Sequence, residues 1–252
     1  MELRRLDDYQ SWALEQGGKR LLIDPWLTEE MSLPPGHWLF GRRRPAPSPV
    51  TDWLPADALV LTAHFSDHLH PKTLSLLPKS LPVFASRGAA KEVRALGFTQ
   101  VTALRDGERA TLWPGLELEA VAPGFPYTHN SLGYAFTAEG KRLYFETHVV
   151  APERAKARLG KVELLVAPVQ SVRLLGIPLV MSPERAVEVA RVLEPTRWAP
   201  TGNDPQRAHG AFSRTMLFYR GALTDFAELL KKSGARTQFV LPEPHQTLEV
   251  RG

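Results

Sequence analysis

The sequence contains no cysteine. That one absence excludes disulfides, a thiolate nucleophile, Cys-ligated zinc and iron–sulfur clusters together. Any metal would have to be held by His, Asp or Glu, and eight His are available. Asparagine is nearly absent as well, limited to Asn130 and Asn203. Scarce Asn and absent Cys fit the composition of a thermophile. No run of 18 apolar residues occurs, so neither a transmembrane helix nor a membrane partner is expected. The N-terminus, MELRRLDDYQSW, has no apolar signal-peptide core, and a cytoplasmic protein is expected. No serine sits in a Gly-x-Ser-x-Gly context, which leaves a serine hydrolase unsupported. Neither Gly-x-Gly-x-x-Gly nor a phosphate-binding loop is present, so no nucleotide cofactor is implied. The formal charge is only +4, from 31 basic and 27 acidic residues. A balance that mild does not predict nucleic-acid binding.

What is present is enough for a sizeable core. The chain has 252 residues, 43% of them hydrophobic and 23% charged. With no repeat, linker or low-complexity run, residues 1–252 read as one domain. The 22 prolines argue for short strands joined by turns rather than long helices. Ser11–Gln16, Gly17-Gly18 and Arg20–Asp24 predict a β-hairpin closed on a glycine pair. Gly133–Ala138 and Arg142–Thr147 predict a second hairpin. Met31–Pro55, rich in proline and carrying Arg42-Arg43-Arg44, reads as a long irregular lid-like loop. Asp57–Thr62 is a short apolar run suited to a buried strand. Helices are predicted over Pro71–Leu77, Arg87–Leu96, Glu153–Leu159 and Glu184–Leu193, and another opens at Thr224-Asp225-Phe226.

The densest chemistry follows the Asp57–Thr62 strand. In His64-Phe-Ser-Asp67-His68-Leu-His70, three imidazoles and a carboxylate lie within seven residues. A strand end fixes where a loop begins, so such groups can converge on one point. Imidazole and carboxylate without thiolate suit Zn²⁺, Mn²⁺ or Fe²⁺. The plainer reading is a polar loop whose His residues cap the helix after Pro71, and spacing alone leaves both open. His148 stands at another strand end, after Leu143–Thr147, where it could be a distant ligand or a structural hydrogen-bonding residue. The face taken by Glu146 is not decided by the pattern.

Taken with Leu22-Ile23-Asp24-Pro25-Trp26-Leu27, the strand–Asp-His loop–helix arrangement resembles the metallo-β-lactamase superfamily. The likeness runs through most of the chain, including Leu143–His148 and Ser182–Thr201. The fold it implies is of the α+β class: an αββα sandwich of two mixed β-sheets flanked by helices, with a metal site at one edge between the sheets. The family motif is His-x-His-x-Asp-His. With Asp67-His68 on its Asp-His, the two earlier His positions fall on Ala63 and Phe65. A further His, expected near Pro123–Pro126, is missing. The bridging Asp falls on His148, and the last His, expected near Thr201-Gly202, is absent, although Asn203 and Asp204 follow.

What the resemblance leaves is one metal or none. It implies Asp67, His68 and His148 as ligands of a single divalent metal, Zn first and Mn or Fe next, with His70 and His64 as local reserves and Asp24 beneath the site, able to orient a ligand His. Such a metal would activate water against an ester, thioester, amide or phosphoester, with Asp67 as ligand or catalytic base. The expectation is therefore a metal-dependent hydrolase with a small-molecule substrate. The alternatives are a non-catalytic member that binds a ligand through the same cleft, and, third, a nucleic-acid processing hydrolase. Arg42–Arg44 could steer an anionic substrate or be a solvated loop. Trp38, Phe40 and Trp53 could stack on a substrate, although anchoring to the core is the better reading. Thr128–Ser131 and His209-Gly210 could reach the mouth of the site.

Overall fold

A computed structural model of the chain describes residues 1–33, 36–44, 48–202 and 208–251. Trp12–Gln16 and Lys19–Ile23 pair as the expected hairpin, with Gly17 and Gly18 both at positive φ, as a two-residue turn of this type demands. They belong to a seven-stranded sheet in the order Thr247–Glu249, Glu2–Arg5, Trp12–Gln16, Lys19–Ile23, Ala58–Leu61, Val83–Ser86, Val101–Leu104. Pairing is antiparallel up to Lys19–Ile23 and parallel beyond it. A second seven-stranded sheet runs Gln238–Phe239, Arg197–Ala199, Leu164–Val166, Lys141–Phe145, Gly133–Ala138, Leu116–Val121, Arg109–Trp113. Both sheets are mixed.

Strand periodicity explains the layering. In Trp12–Gln16, Trp12 and Leu14 turn toward the second sheet while Ala13 turns outward, and Leu21 and Ile23 alternate with Leu22 in the same way. In the second sheet Leu143 and Phe145 face inward and Tyr144 outward. The inner layer also holds Phe136, Leu118 and Val166. Each outer face is covered by helices: Pro71–Ser75 and Arg87–Ala95 on one side, Pro152–Leu159, Pro183–Leu193 and Leu223–Lys232 on the other. This is the αββα order. Full burial of a Leu or Phe contributes about 2 kcal/mol, so the inter-sheet layer dominates any surface ion pair and sets how the sheets sit on each other.

That placement matters because parallel strands send their C-terminal ends to one edge. Asp24, Thr62, Thr147-His148 and Thr201 all follow such ends. The Thr62 and Thr147 hydroxyls meet at 3.1 Å across the two sheets. Two small sheets border this edge: Glu30–Ser32, Gly41–Arg43 and Ala208–His209, and then Ser171–Leu174, Ile177–Pro178 and Leu217–Arg220.

Here the sequence expectations need correction. Met31–Pro55 is not irregular throughout: it supplies two strands of a small sheet and the short helix Val50–Trp53. The pairing of Ser171–Leu174 with Leu217–Arg220 was not legible from the pattern, because partners more than forty residues apart carry no local signal. The three arginines have three fates. Arg44 is buried and donates to the Trp26 carbonyl at 2.6 Å and the Ser48 hydroxyl at 2.7 Å. Arg43 points out to Glu30, and Arg42 turns in over the Tyr9 ring at 3.8 Å. Trp53 anchors as expected, whereas Trp38 is 68% exposed. No helix among the described residues is long and apolar enough to cross a membrane.

Candidate functional site

The site begins with a locked junction between two neighbouring strands. Asp24 follows Lys19–Ile23 in a left-handed conformation (φ 43°), one that Asp tolerates better than most residues. Its amide donates to the Val60 carbonyl at 3.1 Å. Its wholly buried carboxylate accepts the Thr62 amide at 2.8 Å and the Thr62 hydroxyl. It also lies 2.8 Å from His68 Nδ1. A carboxylate can only accept, so Nδ1 carries the proton and His68 Nε2 is left to face the site. Asp24 therefore holds His68 from beneath, as the sequence suggested for it.

Asp67 lies on the far side of that ring, with Oδ2 3.7 Å from His68 Nε2. It is held by residues the sequence reading missed: the Tyr9 hydroxyl donates to Oδ2 at 2.9 Å, and Gln10 Nε2 donates to the Asp67 carbonyl. Tyr9-Gln10 sits in a short polar stretch with no motif or periodicity to mark it. His148 comes from the other sheet. Its ring stacks on Tyr127 at 3.9 Å and lies 4.7 Å from the His68 ring. The Thr147 hydroxyl is 3.2 Å from its Nδ1, which leaves Nε2 for another partner. The His148 amide donates to Glu146 Oε1 at 2.9 Å, while Glu146 Oε2 is buried without a partner. Burial pushes the Glu146 carboxyl up to about 8 against the pull of the neighbouring amides and His68.

The two imidazoles are driven in opposite directions. Burial opposes the charge on His68, but Asp67 and then Asp24 overcome it and hold its pKa at about 9. Burial, reinforced by the positive His68, keeps His148 neutral, well below the ordinary histidine range. Both rings line one chamber of about 380 Å³. Its polar end is Tyr9, Gln10, Arg42, Asp67, His68 and His148; the remaining wall includes Phe40, Phe65, Val172, Leu174, Phe212 and Leu217. Val172, Leu174 and Leu217 of that wall come from one small sheet, the pair Ser171–Leu174 and Leu217–Arg220.

Of the other candidates, Asn130 and Phe40 line the chamber, whereas the remaining histidines do not. His70 caps the Pro71–Ser75 helix, its Nδ1 lying 3.3 Å from the Thr73 amide and 3.0 Å from the Thr73 hydroxyl, and burial followed by Lys72 lowers its pKa to about 4. That is the plainer of the two readings of the motif. His64 turns away from the chamber and lies against Gly88, at the start of Arg87–Ala95. His209 stacks on His37 at 5.8 Å and does not line the chamber. Asn203 and Asp204 lie outside the described residues.

The metal expectation can be tested on this donor geometry. A catalytic ion of this type takes three protein donors around one point. Among the described residues, no three His, Asp or Glu side chains form a group able to hold an ion. Asp67 and His68 face each other, but the His148 ring is stacked on Tyr127. Where the resemblance calls for two His, Ala63 offers a methyl and Phe65 a phenyl ring, 6.0 Å from His148 and 6.4 Å from His68. The residues as arranged do not fit the expected centre.

Over residues 7–201 the sequence matches the beta-lactamase superfamily domain. The chain belongs to that superfamily. The sandwich and the edge location of the site follow its pattern, whereas the motif residues at Ala63 and Phe65 depart from it. Solved structures agree on the fold. An isothiocyanate hydrolase from Delia radicum gut bacteria is 20% identical, with 99% of this chain and 98% of that one covered at a TM-score of 0.74. A metallo hydrolase from the hyperthermophilic archaeon Ignicoccus hospitalis is 17% identical, with coverage of 98% and 97% at 0.69. A diiron beta-hydroxylase from Streptomyces venezuelae is 18% identical, with 98% of this chain and 54% of that one covered at 0.70. No curated protein matches the sequence.

Proposed function

We propose that this chain is a hydrolase of a small, largely apolar substrate bearing one electrophilic carbon, such as an ester, thioester or amide, and that His148 and His68 carry its proton transfers. The observation that carries this reading is the pair of imidazoles on one wall of an apolar chamber, one held charged by two carboxylates and the other kept neutral by burial. Environments that push two titratable groups apart set up an acid and a base at the same pH. Water attacks the carbon and gives its proton to His148; the leaving group takes the proton of His68. Asp24 fixes the tautomer and tilt of His68, and Asp67, anchored by Tyr9, supports its charge.

A second reading keeps one divalent ion, Zn with Mn or Fe as substitutes, on Asp67, His68 and His148. It is favoured by the metallo hydrolase and the diiron hydroxylase of the same fold, and it requires the three side chains to leave the arrangement described above. The deciding experiment pairs metal analysis with hydrolysis of an ester, thioester and amide panel by chain purified without added metal. An isothiocyanate belongs in the panel, because a structure of the same fold is an isothiocyanate hydrolase. Turnover that survives chelation, is flat through neutral pH and falls above about pH 9 is the expected result. About one metal per chain, lost together with activity in a D67A/H68A protein, supports the second reading instead. Ligand binding without turnover supports the non-catalytic alternative.

A further inference from the structure

Behind the chamber, the segment that carries Tyr127 walls a second, separate cleft of about 260 Å³. Its floor is the N-terminal end of the helix Arg87–Ala95. Ser86 caps that helix by accepting the Ala89 amide at 3.4 Å, and the first turn contains no acidic residue. The positive pole of a nine-residue helix is thus uncompensated there, with first-turn amides that have no partner within the helix. Three side chains that can carry positive charge, Arg87, Arg105 and His129, line the opening. The single carboxylate in the lining, Asp106, is already engaged by both terminal nitrogens of Arg158 and by the Ala122 amide at 2.8 Å.

A second observation is independent of the helix. Ser131 also lines the cleft and is only 2% exposed, yet its hydroxyl has no hydrogen-bond partner. A buried hydroxyl left unpaired is destabilising, and native proteins rarely leave one so. An acceptor-rich ligand in the cleft would satisfy it. The charge pattern says what kind: donors and cations, with the local carboxylate neutralised, favour a multidentate anion.

We propose that this cleft binds a small tetrahedral oxyanion, with inorganic phosphate as the reference ligand. The oxyanion would take the Ser131 hydroxyl and the first-turn amides of Arg87–Ala95 other than that of Ala89, with Arg87 and Arg105 supplying the charge. The site does not depend on the hydrolase reading. It does touch the same machinery, since Ser131 and Tyr127 are joined by an amide–carbonyl bond of 3.3 Å and Tyr127 stacks on His148.

The test is calorimetric titration of inorganic phosphate into the full chain at about 0.15 M sodium chloride, where long-range attraction between exposed charges is screened. Binding with Kd of about 1 mM or tighter is expected, with sulfate competing and added chloride having little effect. An R87S/R105S protein should bind about tenfold more weakly or worse. Ser131→Ala removes a hydroxyl with no partner in the free protein, so it should melt no lower than the parent while losing most of the phosphate affinity. No binding up to about 10 mM phosphate overturns the proposal. Unchanged affinity in Ser131→Ala also overturns it, as does a markedly lower melting temperature for that variant, which would show the hydroxyl to be satisfied within the protein.

Discussion

Replacing Asp24 by Asn tests the core of the site, because it removes the charge beside His68 together with a single bond from the Thr62 hydroxyl, whose loss does not vary with pH. The left-handed backbone at position 24 suits Asn as well as Asp, and an amide oxygen can still accept the Thr62 N–H. What is lost is the carboxylate 2.8 Å from His68 Nδ1. In the folded chain His68 is held at about 9 rather than its usual 6.5. A raised histidine pKa stabilises the fold fully below pH 6.5, and the benefit is lost as pH rises through 9. Its size is about 3 kcal/mol from the size of the shift. That is a large share of a typical folding stability of roughly 5–15 kcal/mol. Without Asp24, Asp67 is left to oppose burial at His68, so the D24N protein forfeits part of this stabilisation. Urea unfolding of both proteins across pH 5.5–10 should therefore give a difference that is largest at the acid end, between about 1 and 3 kcal/mol, and narrows above pH 9. A difference that stays constant with pH, or is below about 1 kcal/mol throughout, would refute the argument that His68 is charged in the fold.

Further outcomes follow from the same geometry. His148→Gln should lower kcat/KM by about 10²-fold or more while leaving circular dichroism and Tm near the parent's; His68→Gln should lower kcat/KM as much and also lower Tm, since it breaks the buried pair with Asp24; an effect confined to Tm in both would reduce the rings to structural roles. Gly133→Ala places a Cβ 2.6 Å from Glu146 Oε2 and 3.0 Å from the Tyr144 ring edge and hydroxyl, so it should lower stability by about 1–3 kcal/mol, with an unchanged Tm counting against the packing around Glu146. Phe65→His sets a third imidazole beside His68 and His148. Equilibrium dialysis should then find Zn²⁺ retained by this variant far more tightly than by the parent, and equal retention would mean that the motif position does not face the site. Leu174→Asp, on the apolar wall, should raise KM for apolar substrates with little change in kcat.

The chamber lies where the superfamily motif is incomplete. Asp67 and His68 each have a dedicated support, Tyr9 for one and Asp24 for the other. At Ala63 and Phe65 the same loop turns apolar. Phe65 becomes part of an aromatic wall with Tyr127, their rings 6.0 Å apart at 79°. A wall of that kind excludes water and strengthens every charge interaction behind it.

Much of this was readable from the chain alone. Period-two alternation in Trp12–Gln16, Lys19–Ile23 and Lys141–Phe145, the Gly17-Gly18 turn and the cap residues Ser86 and Ser182 specify the sandwich, because each is a local signal that agrees with the global layering. The absence of Cys and the placement of Asp67 and His68 after a buried strand limited the chemistry to imidazole and carboxylate. Which imidazoles meet in the chamber was a tertiary decision. His70 and His64 each lie only three residues from Asp67, yet one caps a helix and the other turns away from the chamber. His148, eighty residues on, stacks beside His68 because parallel strands of two packed sheets end at a common edge. The charge each ring carries, the anchoring of Asp67 by Tyr9 and the apolar wall from Ser171–Leu174 and Leu217–Arg220 depend on burial and on contacts between distant segments. Those quantities exist only once the sheets have packed.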